Sequence, residues 1–114
     1  MSWWVYLGKK KPVSVDNHSE GGTYAVGGID EAELNITYNY SKFYYQALDK
    51  KKGLDWLHDK RAYKCFHRLR KAVMQLGTQR DMEYWNATSG NAGYALNVLY
   101  QWARRHPMAK FVVQ

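Results

Sequence analysis

Cysteine is almost missing from the 114-residue sequence, in which Cys65 is the single example. One thiol cannot form an intramolecular disulfide, and it cannot supply a cysteine-rich zinc site. A chain without a disulfide framework is typical of a reducing compartment, so we expect a cytoplasmic location. The sequence also lacks an apolar run of membrane-spanning length and a recognisable signal peptide, and membrane association is therefore not expected.

Acidic residues are scarce as well. The chain has ten acidic residues against seventeen lysines and arginines, which gives a net charge of +7 at pH 7. This excess favours polyanionic partners such as nucleotides, nucleic acids or acidic surfaces, and it excludes an acidic mimic of DNA. Small basic proteins also carry basic faces that only contact solvent, and charge alone does not separate the two interpretations.

Recognisable catalytic and metal-binding patterns are lacking too. None of the four histidines has a second histidine or a cysteine at metal-ligand spacing; they are His18, His58, His67 and His106. We identify no Ser-His-Asp or Cys-His arrangement, and no spacing pairs two carboxylates for general acid–base work. The sequence therefore predicts a protein that is not an enzyme, with no catalytic residue, no metal and no cofactor.

Apolar and aromatic residues, by contrast, are abundant. Hydrophobic residues make up 46% of the chain and aromatic residues 16%, with ten tyrosines and five tryptophans. Such a composition is globular rather than disordered, and this chain length suffices for one modest core. We therefore expect a single domain that covers residues 1–114.

Short alternations of apolar and polar residues in the first forty positions and near the end predict β-strands. The predicted strands are Trp3–Leu7, Val13–Val15, Thr23–Val26, Leu34–Tyr40 and Lys110–Val113. The clearest alternation is in Leu34–Tyr40, whose apolar and aromatic positions share one face: Leu34, Ile36, Tyr38 and Tyr40. We expect an antiparallel sheet of about four strands, in which the last strand pairs with an N-terminal one.

Apolar residues at helical spacing predict two main helices, at about residues 60–76 and 90–105. Gly77 is a good C-terminal cap for the first of them. Thr88 or Ser89 can cap the start of the second, and Pro107 ends it. Shorter helices are expected after Ser41 and around residues 54–57. The predicted fold is therefore α+β, with the helices packed on one face of the sheet.

Two glycines near the start of the second main helix call for an explanation, because glycine weakens a helix. Gly90 and Gly93 predict the close approach of another backbone, or of a ligand, to the first turn. In the second case Ser89–Asn91 would bind an anion, since free N–H groups at a helix start suit phosphate or carboxylate. A capped core helix is the other interpretation.

A row of basic residues along the first main helix is the best functional indication. Lys60, Lys64, Arg68 and Lys71 share one helix face. As a phosphate-contacting surface this face would bind nucleic acid in a salt-sensitive way. A helix face exposed only to solvent is the alternative.

Aromatic and amide residues form the second functional indication, because rings stack on bases and amides bind base edges. A nucleotide site would take its base contacts from Tyr38, Tyr40 or Trp85 and its phosphate contacts from Arg68 and Lys71 or the helix start. The complete predicted ligand site is Tyr38, Asn39, Tyr40, Arg68, Lys71, Trp85, Ser89 and Asn91. Packing in the core explains most of the aromatic residues equally well.

Four stretches of the sequence resemble a family of small bacteriophage and prophage proteins. They read GGTYAVGG, ELNITYNYS, GLDWLHDK and YWNATSGNAGYALNVLYQWARRHP, and the last is the most specific. The resemblance extends from about Trp3 to Val113. No activity is established for that family, so it assigns no catalytic residue. It implies a viral or mobile-element setting in a bacterial host, where small phage proteins often act by binding.

These observations lead to a ranked expectation. The first is a non-catalytic phage-type binding protein that sequesters an anionic ligand, such as a nucleotide signal of host immunity, in counter-defence. The alternatives are a nucleic-acid-binding protein that uses Lys60, Lys64, Arg68 and Lys71, and a protein inhibitor of a host defence enzyme. Exposed aromatic residues also leave a homo-oligomer open.

Overall fold

The structure, a computed structural model, describes residues 1–8, 12–14, 24–25 and 31–114. Its strands are β1 (Ser2–Gly8), β2 (Tyr24–Ala25), β3 (Glu33–Thr37) and β4 (Lys110–Val113), and its α-helices are α1 (Ser41–Ala47), α2 (Ala62–Leu76) and α3 (Ser89–Arg105). Tyr38–Tyr40 and Gly53–Leu57 form 3₁₀ turns. The predicted α+β class is therefore confirmed. Among the helices described here, none is long and apolar enough to cross a membrane.

The described strands form one antiparallel sheet in the order β2-β3-β1-β4. Val5 at its centre lies opposite Leu34 of β3 and Val113 of β4, so the predicted pairing of the last strand with the first is confirmed. The expected number of about four strands is matched only roughly, because β2 has two residues.

The predicted strand at Val13–Val15 is present only as single bridges. Pro12 pairs with Gly8 and Ser14 pairs with Glu31. Val15 lies outside the described residues, as do Thr23 and Val26 at the ends of the predicted strand around β2.

Strand alternation puts one face of the sheet into the core. The inward side chains are fully or almost fully buried: Val5, Leu7, Leu34, Ile36, Phe111 and Val113. They belong to the same hydrophobic cluster as the buried residues of α2 and α3, which pack against each other. Burial of apolar surface on this scale is the main favourable term in folding.

The outer edge of β4 is closed by the segment that precedes α2. Phe111 donates its N–H to the Lys60 carbonyl at 3.0 Å and accepts from the Asp59 N–H at 2.8 Å. Val113 donates to Nδ1 of His58 at 3.1 Å. This pairing covers an edge strand that would otherwise present unpaired backbone groups. It also explains why α2 begins at Ala62 rather than near residue 60.

The predicted strand at Leu34–Tyr40 is too long. β3 ends at Thr37, whose hydroxyl accepts the Asn39 N–H at 3.2 Å and so starts the 3₁₀ turn. This local side-chain hydrogen bond competes with the strand ladder. As a result Tyr38 is half-exposed while Tyr40 is buried, and the two do not share the face that alternation predicts.

The start of α3 has the predicted cap and the predicted close approach. The Thr88 hydroxyl accepts the Asn91 N–H at 3.1 Å. A Cβ atom on Gly90 would lie 1.9 Å from the Gln79 carbonyl oxygen, and one on Gly93 would lie 1.8 Å from that of Gly77. The element that approaches the first turn is therefore the backbone that follows α2.

Candidate anion-binding groove

A groove lies between the end of α1, with the loop that follows it, and the middle of α2. Its volume is about 440 Å³. The charged residues that line it are Lys50, Lys51, Arg68 and Lys71, together with one carboxylate, Asp49. We call these five residues and the space between them the basic groove. Four cations against one anion make its surface electropositive, which suits an anionic ligand.

Asp49 organises the loop side of the basic groove. Its Oδ2 atom accepts the backbone N–H groups of Lys52 at 2.7 Å and Lys51 at 3.1 Å, and its Oδ1 accepts from Arg68 at 2.9 Å. The hydrogen bond from Lys52, followed by the one from Lys51 and the charge of Arg68, lowers the pKa of Asp49 below its usual value. Asp49 is therefore a firmly held negative charge within a positive groove.

Arg68 is positioned by two contacts. Its guanidinium carbon lies 4.2 Å from the centre of the Trp56 ring, and one of its nitrogens pairs with Asp49. Stacking on an aromatic face fixes the plane of a guanidinium group. Asp49 and Trp56 thus hold Arg68 in one orientation, while its side chain remains 43% exposed.

The other basic residues of α2 differ in their surroundings. Lys60 lies 4.5 Å from the centre of the same Trp56 ring and donates a hydrogen bond to the Trp56 carbonyl, so its ammonium group is already engaged. Lys64 is exposed and lies outside the lining of the basic groove. Of the four residues predicted for nucleic-acid binding, the groove brings together Arg68 and Lys71.

A second region holds four of the predicted ligand residues: Asn39 and Tyr40 contact the loop before α3, which contains Trp85, and Tyr38 is next to them in the chain, with its ring 4.7 Å from that of Trp3. Asn39 donates from Nδ2 to the Trp85 carbonyl at 2.7 Å, and the Tyr40 hydroxyl donates to the Tyr84 carbonyl. The exposed fractions of Tyr38 and Trp85 are 39% and 49%. A ligand could therefore contact only part of the surface of each of these two residues.

Tyr40 itself is a core residue. It has no exposed surface, and burial, followed by the neighbouring Tyr84, raises the pKa of Tyr40 well above its usual value. Its ring packs edge-on against Tyr44 with 6.2 Å between the ring centres. Tyr40 thus has the environment of a packing residue rather than that of an accessible ring.

Ser89 and Asn91, predicted at the helix start, have different surroundings. Ser89 is exposed, whereas Asn91 is completely buried. Oδ1 of Asn91 accepts the Asp81 N–H at 2.8 Å, and Nδ2 donates to the carbonyls of Glu83 and Asn86, both at 3.1 Å. The Asn91 amide therefore holds the loop before α3.

The predicted ligand residues thus occupy two regions. Tyr38–Tyr40 precedes α1, whereas the basic groove lies at the other end of this helix, which has seven residues and is about 10 Å long at 1.5 Å per residue. No residue of the aromatic and amide group lines the groove. Base-stacking rings and phosphate-binding cations are therefore not combined as the sequence suggests.

Sequence reasoning missed Lys50 and Lys51 as site residues. A run of lysines after a short helix is explained by the helix dipole, which favours cations at a helix C-terminus. Their place in the groove depends on the packing of α1 against α2. The one local indication is Asp49, an N–H acceptor immediately before the run.

Neither a search for metal-ligand clusters in the described residues nor comparison with known proteins assigns a further site. Within residues 1–8, 12–14, 24–25 and 31–114, no three histidine, cysteine or acidic residues are grouped so that they could hold a metal ion. Comparison of the chain with protein-family models, curated proteins and solved structures gives no significant match.

Proposed function

We propose that this protein is a non-catalytic binding protein that takes up an anionic ligand, of the nucleotide class, in the basic groove. The observation that carries the proposal is the concentration of four cations around one carboxylate in a concave surface. A pocket of about 440 Å³ falls in the size range of small-molecule sites.

Unpaired charge supports this proposal. Lys50, Lys51 and Lys71 are exposed, and in the described part of the chain their ammonium groups form no ion pair. Uncompensated cations on a concave surface raise the local concentration of anions. Phosphate oxygens accept charge-assisted hydrogen bonds from ammonium and guanidinium groups, which are stronger than neutral ones.

The chemistry near the groove fits binding rather than catalysis. The groove's carboxylate is held by three donors, as described above, and is a poor candidate for a general base. Burial raises the pKa of the nearby Cys65 thiol to about 11, so the nucleophilic thiolate is scarce at neutral pH. In the bacteriophage setting that the sequence resemblance implies, the ligand would be a nucleotide signal of host immunity, and binding would remove it from solution.

The test is thermal unfolding and calorimetry with a panel of linear and cyclic nucleotides. A ligand at a hundred times its dissociation constant should stabilise the protein by about 2.7 kcal/mol. We expect Lys71→Gln to weaken binding about tenfold, because it removes a cation from the groove. Lys64→Gln is the matched control, since it makes the same charge change on the same helix outside the groove. A panel in which no nucleotide shifts the unfolding temperature would contradict the proposal.

Nucleic-acid binding is the second candidate, and the exposure of Lys64 favours it. Lys64 extends the positive surface of Arg68 and Lys71 along α2 beyond the groove. Single- and double-stranded DNA and RNA in the same panel separate the two functions. Nucleic-acid binding would weaken steeply with salt and would lose as much affinity with Lys64→Gln as with Lys71→Gln. If neither nucleotides nor nucleic acids shift the unfolding temperature, a protein partner becomes the favoured hypothesis.

A further inference from the structure

Helix α2 has two exposed sides, and one of them lies away from the basic groove. The groove side carries Arg68. On the other side α2 meets α3, where the rings of Phe66 and Tyr100 pack edge-on with 6.4 Å between their centres. The start of α3 approaches the end of α2 at Gly93 and Gly77. The two helices therefore run antiparallel and share one outer surface.

Helical spacing places three more side chains on this shared surface. Tyr63 and Arg70 lie about one turn before and one turn after Phe66, and Arg104 lies one turn after Tyr100. Tyr63 is 45% exposed, both arginines are exposed, and the other two aromatic residues are half-buried. The guanidinium carbon of Arg104 lies 5.8 Å from the centre of the Tyr100 ring. We call these five residues the interhelical face.

The positive charge of the interhelical face is not neutralised by the helices that carry it. Neither α2 nor α3 contains an aspartate or a glutamate. Among the described residues, no ion pair involves Arg70 or Arg104. Asp59, the carboxylate shortly before α2, pairs with Lys110 at 3.6 Å. Cations without nearby carboxylates attract anions to this surface.

We propose that the interhelical face binds single-stranded nucleic acid, at a site separate from the basic groove and its proposed function. Arg70 and Arg104 contact phosphates, and the exposed ring of Tyr63 stacks on a base. Phosphate oxygens accept strong, charge-assisted hydrogen bonds from guanidinium groups. Aromatic side chains stack on the unpaired bases of single strands, whereas the bases of a duplex are already stacked on one another.

The composition of this surface favours a nucleic-acid strand over a second copy of the chain. In a symmetric dimer the same patch meets itself, so Arg70 and Arg104 would approach the same arginines of the other copy. Like charges repel, and neither helix supplies a carboxylate to compensate. Two amides lie beside the arginine of α3: Asn97 is half-buried and Gln101 is exposed. Amide groups can form hydrogen bonds with the edges of unpaired bases.

The experiment is a fluorescence-anisotropy titration of labelled single-stranded DNA and RNA of about twelve nucleotides at several salt concentrations. We expect Arg70→Gln to weaken binding about fivefold, because one charge close to a phosphate is lost. The same change should reduce the slope of log affinity against log salt by about 0.7, the value for one phosphate contact with a single strand. Lys64→Gln is the matched control, since it makes the same charge change on the same helix outside the interhelical face. It should leave the slope nearly unchanged.

Stacking is tested with Tyr63→Ala. We expect this change to weaken binding of the single strand about tenfold and to have little effect on the corresponding duplex, whose bases are not available to the ring. Tyr45→Ala is its control, because Tyr45 is also 45% exposed but lies on α1. Arg70 is exposed, so Arg70→Gln tests the site even if Tyr63→Ala does not fold.

Several results would overturn the inference. A wild type that binds no single strand would do so, as would equal losses with Lys64→Gln and Arg70→Gln, which would place the strand on the groove side of α2. Unchanged affinity in Tyr63→Ala would exclude stacking. Polyglutamate that binds as tightly as a strand of equal charge would identify an acidic protein surface as the partner instead. The nucleotide panel with Lys71→Gln tests the basic groove separately, so the failure of one site leaves the other unaffected.

Discussion

Asn91 is among the residues that the sequence predicts to contact a ligand, and in the structure the chain itself uses its amide. The side chain is fully buried and bonds to three backbone groups of the loop before α3, as described above. Buried amides are retained where their donors and acceptors are matched. A residue type that can bind a base edge can equally bind backbone, and composition does not distinguish the two.

At this residue we predict that Asn91→Ala destabilises the fold by about 2 kcal/mol, because it removes a buried amide together with its three hydrogen bonds to the loop before α3. Asn91→Asp should also destabilise, since a carboxylate accepts the Asp81 N–H but cannot donate to the carbonyls of Glu83 and Asn86. Urea unfolding measures both. Ser89→Ala, two residues away and exposed, is the control and should change the unfolding free energy by less than about 0.5 kcal/mol. An Asn91→Ala variant as stable as the wild type would contradict the structural role.

At the scale of secondary-structure elements, the sequence predicts well those features that a local residue pattern determines. The long helices α2 and α3 follow from apolar stripes, and the Thr88 cap and the Gly77 C-terminal cap follow from residue type. The end of β3 is missed because the Thr37 hydroxyl overrides the alternation that continues through Tyr40. The basic groove is missed in part because Lys50 and Lys51 reach it only through the packing of α1 against α2.

For the contact between α3 and the segment after α2, we predict that Gly93→Ala destabilises the protein by roughly 3 kcal/mol. Alanine is otherwise favoured over glycine in a helix, but its Cβ atom would lie 1.8 Å from the Gly77 carbonyl oxygen, and neither backbone can yield cheaply. Asn97→Ala, one turn later on a half-buried position, is the matched control and should be neutral or stabilising. Thermal unfolding of both variants measures the difference. Stabilisation by Gly93→Ala would show that the helix start is not in close contact.

Across the whole molecule, two buried tyrosines join the first half of the chain to the second. Tyr40 donates its hydroxyl to the Tyr84 carbonyl, and Tyr44 donates to the Ala92 carbonyl at 3.0 Å. Burial raises the pKa of Tyr44 well above its usual value, and the neighbouring Tyr40 makes a smaller contribution. The pKa of Tyr40 is also raised, mainly by burial. The net charge of the sequence predicts an anionic partner for the whole molecule. It carries no information about these hydrogen bonds between the two halves of the chain.

These tyrosines predict how the stability of the whole molecule depends on alkaline pH. In the unfolded chain tyrosine ionises near pH 10, whereas Tyr40 and Tyr44 stay protonated in the fold, so the native state binds more protons above that pH. Their contribution is therefore fully present below about pH 10 and is lost as the pH rises further. Tyr40→Phe removes one of the two ionisations together with the hydrogen bond to Tyr84, at a cost of about 1 kcal/mol near neutral pH. Urea unfolding from about pH 8 to pH 11 should show the stability difference between wild type and Tyr40→Phe shrinking above about pH 10. A difference that stays constant over that range would mean that Tyr40 does not remain protonated within the fold.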